Sequence, residues 1–188
     1  MKNNTRGFTL VELMVSLSIA IPLMIVSSNN LKPLILKNKM TNHVNTFISM
    51  QRLARQTAIF QQSLVTLCAS NNGEVCLSKT HWHEGMLTFV DDNGNRVIDG
   101  DDTIIHFHKT EITNLQVTWR AFQNRSYLQF NPNGWTESQN GTFRFCFSDE
   151  SATFYRALIL NRAGRLRLSM DSNNDGFHED ANGDKIIC

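Results

Sequence analysis

The N-terminal segment constrains this chain more than any other part of it. Residues 1–7 are short and polar, positive through Lys2 and Arg6. Residues 8–26 are then almost wholly apolar, broken by small polar residues, Pro22 and one charge, Glu12. At about 1.5 Å of rise per residue, a helix over this run is about 29 Å long, close to the hydrocarbon thickness of a bilayer. A secretory signal peptide has a shorter apolar region and a small-residue cleavage site after it, which Val26-Ser27-Ser28-Asn29 offers poorly. Neither a signal peptide nor a plain anchor accounts for Glu12. A carboxylate near the start of a membrane segment is costly without a partner, so it marks a function.

Beyond this run the helical pattern continues. Leu36, Met40, Val44, Phe47, Ile48, Ala54 and Ala58 follow i, i+3, i+4 spacing, with Lys37, Lys39, Gln51 and Arg55 off that stripe. Pro22 and Pro33 each remove a backbone donor and are expected to bend or interrupt the helix. After Gln62 the period becomes alternating. Residues 64–68 and 75–77 flank Asn71-Asn72-Gly73 as an expected hairpin. Short strands are expected at 86–90, 103–108, 115–121, 127–130, 142–147, 157–160 and 166–170, with Gly, Asn and Asp between them. The fold class is therefore α+β, one long N-terminal helix packed on an antiparallel β-rich head.

The segment Arg6-Gly7-Phe8-Thr9-Leu10-Val11-Glu12-Leu13 resembles the class III signal of type IV pilins and type II secretion pseudopilins. The resemblance implies cleavage by a prepilin peptidase after Gly7, methylation of the new amino terminus on Phe8, and pairing of Glu12 with a neighbouring subunit's terminal amine. It also implies partners along the N-terminal helix, namely other pilin subunits, and an inner membrane that holds the subunit before assembly. Four further stretches narrow the likeness to minor pilins and pseudopilins of the FimT/GspH type. Leu53-Ala54-Arg55-Gln56-Thr57-Ala58-Ile59, running on to Val65-Thr66-Leu67-Cys68, resembles that family's helix-to-strand segment. Gly85-Met86-Leu87-Thr88-Phe89-Val90-Asp91-Asp92-Asn93-Gly94 resembles its strand and turn. Phe130-Asn131-Pro132-Asn133-Gly134 with Gly141-Thr142-Phe143-Arg144-Phe145-Cys146 resembles a central hairpin, and Ala163-Gly164-Arg165-Leu166-Arg167 its C-terminal GRxR element. The expected organisation is a cleaved leader over 1–7, a transmembrane half-helix over 8–28, an amphipathic half over 29–63 and a periplasmic head over 64–188. The expected location is the inner membrane, single-pass with the head in the periplasm, and then the fibre at the cell surface.

The formal net charge of +1 conceals a sorting along the chain. Between residues 84 and 111 there are seven acidic residues against two basic, and between 120 and 167 seven arginines against three carboxylates. Asp171, Asp175, Glu179, Asp180 and Asp184 then face only Lys185. Within the basic block, Asn161-Arg162-Ala163-Gly164 reads as a turn, and in the strand after it Arg165 and Arg167 share one face while Leu166 and Leu168 share the other. Arg162, Arg165 and Arg167 form a compact cluster, and a planar guanidinium donates twice to phosphate. On the residues alone a solvated strand face is the plainer reading. The resemblance implies a second one, because some FimT-type minor pilins capture DNA in natural transformation through this element. Arg120, Arg125, Arg144 and Arg156 are candidates to extend the patch. Such binding is expected to engage the double-stranded DNA backbone, to tolerate any sequence and to weaken steeply with salt. The alternative is a purely structural minor pilin or pseudopilin that primes or joins the fibre tip without binding DNA.

The four cysteines suit an oxidising compartment and allow three pairings. Cys68 and Cys76 flank the expected hairpin turn and make the favoured local pair, which leaves Cys146 to Cys188. Zinc is disfavoured, since there is no C-x₂-C pair. Calcium is the one metal with a partial ligand set: Asp171, Asn173 and Asp175 with Gly176 match the first half of an EF-hand loop, but Asn182 stands where a bidentate Glu belongs. Asp91-Asp92-Asn93-Gly94-Asn95 is a fainter echo. No cofactor is otherwise expected. His81 with His83, and His106 with His108, read as solvated strand histidines. No nucleophile elbow, Walker loop or HExxH helix appears, and the chain is not expected to be an enzyme.

Overall fold

The computed structural model describes residues 7–188 except Glu137 and Asp149, and only the backbone of residues 23–30. The expected leader, residues 1–7, lies outside the described residues apart from Gly7. Helix α1 runs over Leu10–Gln61 and is helical through both Pro22 and Pro33. Neither proline ends it. Among the described residues no helix is long and apolar enough to cross a membrane. The expected spanning segment, 8–28, draws in part on side chains outside those described. By internal contacts the chain divides into two units, Met1–Asn38 and Lys39–Cys188.

In the first unit the described side chains up to Pro22 are almost all exposed, including Phe8, Leu10, Leu13 and Leu17. An apolar surface of this kind needs lipid or other helices to cover it.

The second unit holds the head. Among the described residues eight strands follow α1: β1 (Val65–Ala69), β2 (Gly85–Val90), β3 (Thr103–Lys109), β4 (Leu115–Ala121), β5 (Tyr127–Phe130), β6 (Gly141–Phe147), β7 (Arg156–Leu160) and β8 (Leu166–Leu168). They form two antiparallel sheets, ordered β3-β2-β1-β5 and β4-β6-β7-β8. The strand expected at 75–77 is absent, because both edges of β1 are already paired, with β2 and with β5. A single bond from Leu77 N–H to the Ala69 carbonyl, 2.7 Å, and the Cys68–Cys76 disulfide hold that segment instead. The expected central hairpin is likewise not formed. After β5 the chain turns through Asn131–Trp135 and then changes sheet, so β5 pairs with β1 while β6 pairs with β4 and β7.

The head's part of α1 buries a stripe of Met40, His43, Val44, Phe47, Met50, Gln51, Ala54 and Ala58. Phe47 is its hub, with ring centroids 4.3 Å from Phe143, 5.5 Å from Phe145 and 5.7 Å from Trp82. Trp119 stacks on the far side of that cluster, 3.9 Å from Phe143. These rings lie on the inner face of the second sheet, where Val117, Trp119, Phe143, Phe145, Leu158 and Leu160 are buried in register. The opposite, outer face carries Thr118, Arg120, Thr142, Arg144, Ile159 and Arg167. Asp91, fully buried, ties the first sheet together. Its Oδ2 accepts from Gln129 Nε2 at 2.7 Å, Thr66 Oγ1 at 2.8 Å and Arg96 N–H at 3.1 Å. That structural duty accounts for the acid at the start of the Asp-Asp-Asn-Gly turn.

Candidate nucleic-acid interface

At the N-terminus Glu12 has a local role as a helix cap. Thr9 stands just before the helix, and its Oγ1 accepts from Glu12 N–H at 3.3 Å. The Glu12 carboxylate reaches back to the Thr9 N–H and hydroxyl, both at 3.1 Å. This is a reciprocal capping box, and Thr9-x-x-Glu12 spells it in the sequence. Gly7 and Phe8 precede it, exposed, Phe8 at 85 %.

The arginine cluster takes its geometry from two turns that press on α1. Gly164 has φ +69° in the turn joining β7 to β8, closed by Asn161 N–H to the Arg165 carbonyl at 3.1 Å. Gly134 has φ +74° in the turn after β5. A Cβ on Gly164 would stand 2.7 Å from the Gly134 carbonyl oxygen, so the two backbones touch where only glycine fits. From the helix, buried Gln51 donates Nε2–H to the Gly164 carbonyl at 2.7 Å, and Arg55 donates Nε–H to the Gly134 carbonyl at 2.8 Å. Gln51 and Arg55 lie off the apolar stripe expected from the spacing, and the two turns draw them onto the packed face.

Arg162, Arg165 and Arg167 are all exposed. Leu166 pairs with Leu160, and Arg167 with Ile159, so Arg167 lies on the outer face, opposite the buried Leu158 and Leu160. Arg165, at the start of the strand, lines a groove whose other wall is α1, with Arg52, Arg55 and Gln56. Two helix arginines therefore share a groove with Arg165, Arg55 with its Nε already committed to the Gly134 carbonyl, while Arg167 lies on the other face of the strand. Their signal in the sequence was faint, since Arg52 and Arg55 lie more than a hundred residues away from Arg165.

The other arginines divide by their surroundings. Arg144 donates to the Ile187 carbonyl at 3.1 Å and pairs with Asp180 Oδ2 at 3.3 Å, half-buried under the C-terminal tail. Arg156 donates to the carbonyls of Thr153 and Tyr155 at 2.9 and 2.7 Å, and burial lowers its pKa. Arg125 donates to Tyr127 Oη at 3.1 Å and Gln123 Oε1 at 2.8 Å. All three are spent on the protein's own acceptors. Arg120 is exposed, in the same cross-strand row as Thr142, Ile159 and Arg167. Three strand spacings, about 14 Å, separate it from Arg167. Asp180 and Asp184 border the cleft beside it, and the Cys146–Cys188 disulfide, with Cα atoms 6.4 Å apart, fastens the tail there. The acidic tail thus confines the open cationic surface to the β8 edge and the adjoining face of α1.

The histidines do not assemble a metal site among the described residues. His81 and His83 stack with centroids 6.4 Å apart, and His106 is exposed. His43 is buried against Phe145 at 5.7 Å, and its pKa falls from 6.5 to about 4, through burial first and then the nearby His108 and His83.

A long N-terminal helix whose distal half packs on an antiparallel head, behind an exposed apolar helical start, is the plan of a pilin-type subunit. The chain belongs to the family described as type II transport protein GspH, whose model matches residues 43–164, more than half of its length. The prokaryotic N-terminal methylation motif matches residues 2–21. Two crystal forms of the type IV minor pilin FimU of Pseudomonas aeruginosa share the fold at 21 % identity. The P21 form gives a TM-score of 0.55 over 71 % of this chain and 90 % of that one. The P65 form gives 0.53 over 69 % and 92 %. A comparison with curated proteins returns no match. The chain is a minor pilin or pseudopilin of a type IV pilus or type II secretion system, a structural family whose members assemble with other pilin-type subunits and are processed at the N-terminal motif.

Proposed function

We propose that this subunit is a minor pilin that holds double-stranded DNA by its backbone and so supports DNA uptake in natural transformation. The observation that carries this reading is the groove where Arg165 meets Arg52 and Arg55 of α1, with Arg162 and Arg167 exposed beside it. A row of guanidiniums on a rigid strand edge and a rigid helix suits phosphates, and the site offers no device for reading bases. The acidic tail favours the same edge, because DNA laid toward Arg120 would meet Asp180 and Asp184. In this reading prepilin peptidase cuts after Gly7 and Phe8 becomes the methylated terminus. The helix then holds the subunit in the inner membrane, single-pass with the head in the periplasm, until it enters the fibre. Glu12, already the capping partner of Thr9, pairs with a neighbour's terminal amine on assembly.

Two variants separate assembly from DNA capture in cells. Arg165→Gln with Arg167→Gln should enter fibres at the normal level while DNA uptake falls. Glu12→Leu should be cleaved and anchored but missing from fibres. Unchanged uptake in the double arginine variant would leave a subunit that only primes or joins the fibre tip.

A further inference from the structure

The loop after β8 carries a carboxylate cluster that the arginine groove does not use. Asp171, Asp175 and Glu179 each bring one carboxylate oxygen within 4.8 Å of the other two. Exposed acids crowd together in many proteins without consequence, and Asp175 is exposed here. Glu179 is different. It is 7 % exposed, and its Oε1 is sealed from solvent with no hydrogen-bond partner among the described residues. Its Oε2 accepts the Ser172 N–H at 2.8 Å. A buried carboxylate oxygen left unmatched is costly, and two more carboxylates beside it raise the cost unless a cation sits among them.

We propose that Asp171, Asn173, Asp175 and Glu179, with the Phe177 carbonyl, bind a calcium ion. The donors fall at alternate positions of a nine-residue loop, and Gly176, at its sixth position, has φ +87°. That is the first half of an EF-hand loop, with Glu179 at the ninth position supplying the buried carboxylate that the missing twelfth would have given. The set is all oxygen: three carboxylates, one amide and one carbonyl, with waters to complete the shell. Hard, flexible coordination of this kind suits calcium, whereas magnesium demands a stricter octahedron and zinc favours nitrogen and sulfur. His178 is not available as a ligand through Nδ1, which lies 2.7 Å from the Ser169 carbonyl. Lys185 is the rival counter-ion. Its ammonium stands 3.0 Å from Asp175 Oδ2 and 4.0 Å from the Phe177 ring centroid, and it must give up Asp175 when the metal binds. The ion would clamp the tail at Glu179, one residue before the Asp180–Arg144 pair.

The test uses the full-length protein in detergent, stripped with chelator and titrated with calcium chloride by calorimetry, with thermal unfolding alongside and magnesium chloride as control. The wild type should show one saturable calcium site and a melting temperature that climbs with calcium. Glu179→Gln and Asp171→Asn should each weaken binding by about tenfold or more, and Lys185→Met should tighten it, which a merely structural acid loop does not predict. Asp171→Asn keeps the test decisive if Glu179→Gln fails to fold. Absence of saturable binding to the folded wild type at millimolar calcium, or unchanged affinity in Asp171→Asn, overturns the proposal.

Discussion

His43 makes the head's stability depend on pH in a way that one substitution can isolate. It is 3 % exposed on the packed face of α1, and its Nε2 has no hydrogen-bond partner among the described residues. Its pKa drops from 6.5 to about 4, so the native state keeps it neutral where the unfolded chain would protonate it. The unfolded state therefore binds more protons between those two values, and stability falls as pH is lowered through that window. Above pH 6.5 there is no contribution; below pH 4 the loss is complete. About 2.5 units at about 1.4 kcal/mol each gives a loss of about 3 kcal/mol. Urea unfolding of the head, Lys39–Cys188, measured at steps from pH 7.5 to pH 4, should show this decline. His43→Leu, which cannot protonate, should flatten it by that amount. His178, whose pKa is also lowered mainly by burial, contributes equally to both proteins and cancels in the difference. Parallel stability curves for wild type and His43→Leu would refute the reasoning.

Gly164→Ala should destabilise the head by about 2 kcal/mol, since the residue has φ +69° and its new Cβ would press on the Gly134 carbonyl at 2.7 Å. A thermal melt followed by circular dichroism reads it as a drop of several degrees, with the DNA groove distorted as well. Replacing Cys146 and Cys188 together by serine opens a loop of sequence separation 42, and should cost about 3–4 kcal/mol in urea unfolding under oxidising conditions. Phe47→Ala removes the ring that touches Trp82, Phe143 and Phe145, and should cost about 3–5 kcal/mol in the same assay.

Half-buried β4 writes its alternation into the residues, whereas β1, β2 and most of β5 are buried throughout and show as short runs between turn residues. Leu115–Ala121 and Tyr127–Phe130 have the bounds the pattern indicates. The strand expected at 75–77 failed for a reason no local pattern carries: β1 had already spent both edges on β2 and β5. The supposed central hairpin failed in the same way, since which sheet β6 joins depends on Val117 and Leu158, far from its own turn. Gln51 and Arg55 look solvated by residue type, and only the carbonyls of Gly164 and Gly134 pull them inward. The turn at Gly164 and the outward Arg167 were legible in the β7–β8 sequence. The contribution of Arg52 and Arg55 to that site was not, because helix and strand meet only in the folded head. Glu12's capping box is legible in Thr9-x-x-Glu12, where the carboxylate's local partner stands three residues before it.

The DNA reading stands or falls on salt. The oxidised head, Lys39–Cys188, titrated with double-stranded DNA across a range of sodium chloride, yields a slope of log affinity against log salt. With Arg55 held on the Gly134 carbonyl, one phosphate contact each from Arg52, Arg162, Arg165 and Arg167 predicts a slope of about −4, and Arg165→Gln with Arg167→Gln should reduce it to about −2 while circular dichroism stays unchanged. No binding at low salt, or the same slope in the folded double variant, would contradict an arginine edge built for DNA.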